Sequence, residues 1–457
     1  MRVRKLTRIF FWLHFYFCHG KIKKKEGALM KRVVALILCA VTVLTLLGGC
    51  AQEGDASFAG IVEDPKTWYE EFMKIPVATA DMTEDELRQI CVDAFKANLT
   101  FLWTPNSHIC YSYELLGDNT NITLPTGNAY SGLCYASGQH PNSCGTIWKV
   151  LPYYDPETGV VDVKAMGDNF LNYMSSACAF GAMQGWNRVS NSHRLVGMHV
   201  YSQYESGILP VGPYTYTRKD YGNNFSSRSS SKQIIAANSY EVMLESLAAG
   251  KKADGLFSSS AYHVMMYCED AVVVRNDDNT INPIESYVLV HEQNSSGSCS
   301  DQYNYKQSNG IDIRPLGTTN NKYTFAWLLE KGYIPFTVKE LVGKDPVEPG
   351  KAWLGSQERE LENGTAKTLS AISNESLCAN YSICTLLFEV KSPNGTVLDS
   401  YIPAAITSPV KSRLSLRGLL EESRYAPYAD GKNTIHISAR LGNGEMLEAF
   451  HTVLKIS

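Results

Sequence analysis

The sequence predicts an α+β fold, with helices packed on an antiparallel sheet and a small β-sandwich after them. Three observations support this fold. A capped amphipathic run lies at 82–98, a helix-like run at 178–189 precedes two short strand-like runs, and the C-terminal region alternates short strands with Asn-Gly turns. We place the first domain at 76–345 and an immunoglobulin-like β-sandwich at 346–457.

The segment from Met30 has the features of an export signal. Met30-Lys31-Arg32 is followed by an apolar run and by Leu47-Gly48-Gly49-Cys50, which resembles a bacterial lipobox. The apolar run is short for a transmembrane helix, so we expect a signal peptide over 30–49, a lipidated Cys50 and a tether over 50–75. The protein is then anchored by its lipid to the extracellular face of the bacterial membrane.

Residues 1–29 do not fit this signal. Two basic clusters flank a short aromatic stretch, and Lys25-Glu26-Gly27 can be encoded by a ribosome-binding sequence that precedes Met30. We therefore expect translation to start at Met30 and 1–29 to be an untranslated upstream region.

The charge of the chain changes once the signal is removed. Residues 1–49 hold ten Lys/Arg and one Glu, and subtracting them from totals of 42 and 46 leaves 32 basic and 45 acidic residues, a net charge of −13. Such a chain lacks the basic character of a nucleic-acid-binding protein. Its 408 residues (457 minus 49) are enough for two domains.

The first predicted helix begins with a capping box. Thr83 is the N-cap, Glu86 lies three residues later, and apolar residues recur at helical spacing to Phe95. Three further segments are expected before the β-rich region: a loop-rich stretch at 120–145, a helical stretch at 160–175, and an inserted loop at 200–232.

Cys178 lies at the start of the next predicted helix. Phe180, Met183 and Trp186 follow at helical spacing, and Ser175 or Ser176 is expected to cap the start. A helix N-terminus offers unpaired N–H groups and the positive end of the helix dipole. Both lower the pKa of a thiol, so this position favours a nucleophilic thiolate.

Two histidines lie on the strands that follow. His263 opens the run His-Val-Met-Met-Tyr, and His291 closes the run Tyr-Val-Leu-Val-His. An imidazole beside a thiol stabilises the thiolate and acts as its base, and a second polar group orients that base. We expect His263 to be the base and His291 to orient it, with Gln293 as the alternative orienting residue.

Beyond a Pro- and Gly-containing linker near residue 345 the pattern becomes that of a β-sandwich, and no catalytic cluster is apparent there. The predicted strands lie at 385–390, 397–402, 413–416, 434–441 and 448–456.

The cysteines leave the disulfide pairing open. Nine cysteines follow Cys50, an odd number that is compatible with one free thiol. Cysteine, histidine and carboxylate residues do not follow zinc-finger spacing, so we expect no metal and no cofactor.

Cys178, His263 and His291 together resemble the NlpC/P60 cell-wall peptidases, a papain-like superfamily. The stretch Tyr130-Ser-Gly-Leu-Cys-Tyr135 resembles the tyrosine segment of that family. The resemblance implies a cysteine peptidase whose catalytic residues are Cys178, His263, His291 and Tyr135, the last on the oxyanion side, with Tyr130 as its competitor. It also implies peptidoglycan stem peptides as substrate.

The chain departs from the family at the nucleophile. The family reads Asp-Cys-Ser-Gly, whereas Ala177 precedes Cys178 and Ala179-Phe180 follow it. The alternatives are a non-catalytic surface lipoprotein with a degenerate papain-like fold for adhesion or assembly, and a solute-binding lipoprotein. Acyl transfer of the transglutaminase type would use the same cysteine and base.

Overall fold

A computed structural model describes residues 64–115, 118–135, 145–190, 208–216, 230–294, 305–306, 312–315, 317–356, 358–403 and 412–455. All described residues belong to one compact unit. The predictions for 1–49 and for Cys50 lie outside the described residues.

The described part contains both helices and sheets, so the predicted α+β class is confirmed. The α-helices are α1 Pro65–Lys74, α2 Glu84–Thr100, α3 Ile147–Val150, α4 Val163–Met166, α5 Phe170–Met174, α6 Cys178–Trp186, α7 Ser230–Ala236, α8 Tyr240–Ala248, α9 Phe325–Lys331, α10 Leu369–Ser373 and α11 Glu422–Tyr425. Short 3₁₀ helices lie at Leu151–Tyr153, Gly167–Asn169, Lys339–Val342 and Ala426–Tyr428.

The strands fall on both sides of residue 345. Before it lie β1 Leu102–Pro105, β2 Ile109–Leu115, β3 Asp118–Leu124, β4 Ala129–Ser131, β5 Cys134–Tyr135, β6 Tyr154–Asp155, β7 Val160–Val161, β8 Ser175–Ser176, β9 Ile208–Pro210, β10 Gly255–Ser258, β11 His263–Tyr267, β12 Tyr287–Glu292, β13 Tyr305–Lys306, β14 Asp312–Pro315, β15 Thr318–Thr324 and β16 Ile334–Val338. After it lie β17 Ala352–Gly355, β18 Lys367–Thr368, β19 Ser376–Ala379, β20 Ile383–Lys391, β21 Val397–Tyr401, β22 Arg413–Ser415, β23 Asp430–Leu441 and β24 Met446–Lys455.

A six-stranded antiparallel sheet carries the two histidines. Its order is β15-β12-β11-β10-β16-β9, and helices α2 and α6 pack against it. One hydrophobic cluster joins these helices to the sheet, with Phe95, Met183, Trp186 and Met266 buried in it. This packing fixes the position of the start of α6 relative to the strands.

The N-terminal part of the described chain corrects the tether prediction. Residues 65–74 of the predicted 50–75 tether form α1, capped by Asp64 and with Pro65 in its first turn. Trp68 and Phe72 of this helix are buried in a second cluster with aromatic side chains of the mixed sheet β13-β14-β4-β1-β7-β6. The packing of these aromatic residues therefore stabilises a helix, although the segment is otherwise polar in composition.

The predicted capping box of α2 is confirmed. The Thr83 hydroxyl accepts from the Glu86 N–H, and the Glu86 carboxylate accepts from the Thr83 N–H at 2.8 Å. The helical stretch at 160–175 is confirmed as α4, a 3₁₀ turn and α5. Two loop predictions are partly wrong. Part of β3 and all of β4 and β5 lie within 120–145, and β9, which pairs with β16, and the start of α7 lie within 200–232.

The predicted C-terminal strands are confirmed as β20–β24. Four of them, with β18, form a five-stranded sheet in the order β18-β24-β23-β20-β21. The fifth, β22, belongs to a three-stranded sheet in the order β17-β19-β22. Residues of both sheets, such as Leu377 and Phe388, share one hydrophobic cluster.

One buried arginine joins the C-terminal sheet to the region after α6. The Arg188 guanidinium donates to the Asn443 carbonyl at 3.2 Å and lies 4.9 Å from the Trp148 ring and 5.4 Å from the Phe72 ring. Burial lowers the pKa of Arg188 to about 10. Cation–π contacts of this kind stabilise a desolvated guanidinium.

In the described part of the chain, none of the helices combines the length and the apolar character that crossing a membrane requires.

Candidate active site

Cys178 is the first residue of α6, as predicted, but the predicted serine cap is wrong. Ala177 occupies the N-cap, and Ser175 and Ser176 form the short strand β8. The Ser176 hydroxyl donates to the Ala177 carbonyl at 3.3 Å. Because an alanine side chain cannot accept from the first N–H groups of the helix, these groups remain for other acceptors near the sulfur.

Two glycines let α6 lie close to the sheet. A Cβ at Gly181 would lie 3.0 Å from the Gln293 Cβ, and one at Gly185 would lie 2.7 Å from the Met266 Cε. Val264 precedes Met266 on β11, and continuing the β11–β12 register opposes it to Gln293. The helix and the strand therefore run in the same direction, which brings Cys178, at the helix start, beside His263, at the strand start.

The thiol of Cys178 lies against the beginning of β11. Its Sγ is 3.6 Å from the Tyr262 carbonyl oxygen. Burial raises the pKa of Cys178, but the hydrogen bond and positive charge of His263, together with the N–H groups of Val264 and Ala179, outweigh it and lower the pKa below its ordinary value. A thiol in this position is largely thiolate at a lower pH than a free cysteine.

Four other buried cysteines have pKa shifts in the opposite direction. Burial raises the pKa of Cys91 and Cys378, and it raises the pKa of Cys384 to about 11 and that of Cys268 to about 12. The seven described cysteines are all free of disulfides. Burial on its own therefore raises the pKa of a thiol in this protein. Cys178 differs from these four cysteines because His263 lies beside it.

Glu292 is the residue that holds His263. The Nε2 of His263 lies 2.6 Å from the Glu292 Oε2, and both side chains are largely buried. Burial lowers the pKa of His263, but the contacts with Cys178 and Glu292 overcome it and raise the pKa to about 10. The site therefore favours an imidazolium between a thiolate and a carboxylate.

Glu292 is itself fixed by two further side chains. Its Oε1 accepts from the Asn321 Nδ2 and from the Tyr323 hydroxyl at 2.7 Å. Burial raises the pKa of Glu292, but His263, Asn321 and Tyr323 lower it to about 2. The carboxylate is thus ionised and oriented before any substrate binds.

The prediction that His291 or Gln293 orients His263 is wrong. On β12 alternate residues face opposite sides, and the register pairs His291 with Met266. His291 therefore faces the helices, where its ring lies 6.2 Å from Phe95 and its Nδ1 accepts from the Asn320 N–H at 3.4 Å. Burial, with a smaller contribution from the charge of Lys96, lowers the pKa of His291 to about 3, so it is a neutral core residue.

Gln293 has a different structural role. Its Nε2 donates to the Leu133 carbonyl at 2.7 Å, which attaches β12 to the segment that contains Tyr135. Tyr135 pairs with Ser176 in the parallel ladder of β5 and β8, two residues before Cys178. The structure thus places Tyr135 on the strand beside the one that leads into Cys178. Its competitor Tyr130 is fully buried beside Trp103 in the mixed sheet, with ring centroids 5.1 Å apart.

The residue before His263 has an unusual backbone. Tyr262 has a φ of 51°, a left-handed conformation that is rare for a large side chain. Such conformations persist only where the surrounding structure enforces them, and they cluster at functional sites. Here the turn directs the Tyr262 carbonyl at Cys178 and starts β11 at His263.

Glu292 could not be chosen from the local pattern of β12 alone. Once the register is known, His263 shares its face with Met265 and Tyr267, and the residues of β12 on that face are Val288, Val290 and Glu292. The available sequence signal is a glutamate in the mostly apolar strand Tyr287–Glu292, because a carboxylate is rarely buried without a partner.

Comparison with protein-family models and with curated proteins finds no match for this chain.

Proposed function

We propose that this protein is a cysteine hydrolase that cleaves peptide or amide bonds with Cys178 as nucleophile, His263 as base and Glu292 as the residue that orients the base. One observation carries the proposal. Cys178 begins α6 with its Sγ 3.6 Å from the Tyr262 carbonyl oxygen, and the next residue, His263, has its Nε2 2.6 Å from the buried Glu292 carboxylate.

We also propose a fold for each of the two regions of the chain. A helix with a cysteine at its start, packed on an antiparallel sheet with histidine and carboxylate on adjacent strands, supports a papain-like domain of NlpC/P60 type. The two C-terminal sheets around one cluster support a β-sandwich.

The chemistry follows from the arrangement of protons. The thiolate of Cys178 attacks the carbonyl carbon, the oxyanion develops near the start of α6, and His263 donates its proton to the leaving amine. Water then attacks the thioester while His263 accepts a proton, and the acid product leaves. Glu292 stays ionised throughout and holds the imidazole in one orientation.

Tyr135 is proposed to act on the oxyanion side. The support is its ladder position, directly opposite Ser176 and two residues before the nucleophile. A phenolic hydroxyl is one of the donors that stabilise developing negative charge in such sites.

The substrate and location are proposed from the sequence. The resemblance to cell-wall peptidases and the lipobox at Leu47–Cys50 favour peptidoglycan stem peptides and an enzyme anchored outside the membrane. The acidic mature chain argues against a nucleic-acid substrate.

The test is hydrolysis of purified stem peptides by the full chain. We expect Cys178→Ala and His263→Ala each to abolish cleavage while the protein stays folded, and the double variant to be no worse than either, because residues that act as a unit fail together. The matched control is Cys268→Ser, which removes a buried thiol whose pKa is raised to about 12, and activity should persist. Undiminished cleavage by Cys178→Ala would exclude the proposed mechanism, and absence of any activity with an unreactive Cys178 would favour a non-catalytic surface protein.

A further inference from the structure

A second cluster of ionisable side chains lies on the hairpin of β23 and β24. His436 and His451 are paired across the two strands, and Glu448 lies on the second. The Glu448 Oε2 is 2.6 Å from the His436 Nδ1, and its Oε1 is 2.8 Å from the His451 Nδ1. One ligand atom from each residue can be chosen so that all three lie within 4.8 Å of one another.

The Thr434 hydroxyl supports the outer side of the His436 ring. The Thr434 Oγ1 lies 3.4 Å from the Lys391 carbonyl oxygen and 3.1 Å from the His436 Nε2. This contact orients the ring with its Nδ1 directed at the Glu448 carboxylate, 2.6 Å away.

The two imidazoles and the carboxylate converge on one point, and the two rings are stacked with centroids 5.5 Å apart. A divalent ion can take one ligand atom from each of the three side chains. An outer hydrogen bond such as that of Thr434 is typical of metal-bound histidine. The side chains are 18%, 42% and 38% exposed for His436, Glu448 and His451, so an ion can reach them from solvent.

We propose that His436, Glu448 and His451 form a binding site for a divalent transition-metal ion of the zinc class. Two imidazoles and one carboxylate are ligands that zinc accepts, and the partial exposure leaves a position for water. The hairpin brings together two histidines that are distant in sequence, which explains why motif spacing did not indicate a metal. The site is separate from Cys178 and is independent of the proposed hydrolase.

The experiment titrates Zn²⁺ into the full chain by calorimetry, after accessible thiols have been alkylated with iodoacetamide to remove competing ligands. We expect one ion per chain in the wild type, and a loss of affinity of at least roughly 10- to 100-fold in Glu448→Gln and in His451→Gln. The matched control is Glu389→Gln, which removes the same charge from the strand beside β23, at the residue paired with His436. Because it keeps all three ligands and removes only a neighbouring charge, its affinity should fall clearly less than that of Glu448→Gln.

A second readout separates binding from folding. Zn²⁺ should raise the unfolding midpoint of the wild type and of Glu389→Gln but not of Glu448→Gln, because a ligand stabilises only the state that binds it. Wild-type protein that fails to bind Zn²⁺, or a His436→Ala/His451→Ala double variant that binds it as tightly as the wild type, would overturn the proposal.

Discussion

Glu292 and His291 are neighbours in sequence but have opposite environments. Glu292 faces His263 and is ionised, with a pKa lowered to about 2 chiefly by His263 against the opposing effect of burial. His291 faces the helices and is neutral, because burial lowers its pKa to about 3. Adjacent residues of a strand face opposite sides of the sheet. Of these two neighbours, one is therefore a charged residue beside His263 and the other is a buried core residue.

The buried His291 should make the protein sensitive to acid. An unfolded histidine takes up a proton near pH 6.5, whereas folded His291 does so only near 3, so stability should fall as the pH drops through this window. The slope contributed by one such group is at most about 1.4 kcal/mol per pH unit.

His291→Gln should remove this contribution. Between pH 6.5 and 4.5, above the ordinary pKa of Glu292, urea unfolding of the variant should depend less on pH than that of the wild type. Hydrolytic activity should change little, since a glutamine can still accept from the Asn320 N–H. A variant that loses activity while keeping the wild-type pH slope would show that His291 serves catalysis instead of packing.

The candidate site could be predicted in part from sequence. Cys178 and His263 could be identified because each is the first residue of a segment with clear periodicity. The sequence pattern therefore predicts that each lies at the start of a helix or strand. The third residue could not be identified, since the choice among His291, Glu292 and Gln293 depends on the register between two strands. That register is a tertiary property which the local pattern of either strand leaves open.

At the scale of elements, the position of α6 depends on its glycines. A Cβ at Gly185 would lie 2.5 Å from the Cys91 carbonyl oxygen of α2, a distance that requires backbone movement. Any movement of α6 away from α2 and the sheet also moves Cys178 at its start.

Gly185→Ala should therefore destabilise the fold by about 1–3 kcal/mol, despite the better helix propensity of alanine. Gly442→Ala is the control, because a Cβ there meets nothing closer than 3.5 Å and the change should be less than about 1 kcal/mol. Urea unfolding measures both. Equal stability of the two variants would contradict the close packing of α2 and α6.

The helices and strands that are predicted best from the sequence are those whose sequence patterns involve only neighbouring residues. The capping box of Thr83 and Glu86 and the alternation of β20 are properties of a few adjacent residues. Helix α1 was missed because its stability comes from Trp68 and Phe72 packing on distant rings, such as Phe101 and Trp148. Most helical stability in proteins arises from such tertiary packing.

At the scale of the whole molecule, Arg188 connects the C-terminal sheet with the region after α6. Its guanidinium lies over the Trp148 and Phe72 rings, whose centroids are 4.6 Å apart, and donates to the Asn443 carbonyl in the turn between β23 and β24. The sheet that carries the proposed metal site is thus attached to the region that follows the proposed nucleophile.

The proposed lipid anchor at Cys50 determines where the mature chain begins. If the lipobox is processed, the mature protein begins at a diacylated Cys50, and mass spectrometry of protein isolated from bacterial membranes should find no peptide from 1–49. Cys50→Ala should block lipid attachment. A peptide from residues 2–20 in mature protein would contradict both the start at Met30 and the cleavage.

The central claim, that Cys178 is an activated nucleophile paired with His263 and Glu292, is tested most directly by the pH dependence of its alkylation. Iodoacetamide labelling of Cys178 in the folded protein, followed by peptide mass spectrometry, should rise at a pH below that of an ordinary thiol, since its pKa is lowered. Glu292→Gln should move this rise to higher pH, because a less basic His263 stabilises the thiolate less. Labelling of Cys178 only at the alkaline pH expected for a buried thiol such as Cys268, with no effect of Glu292→Gln, would contradict the account.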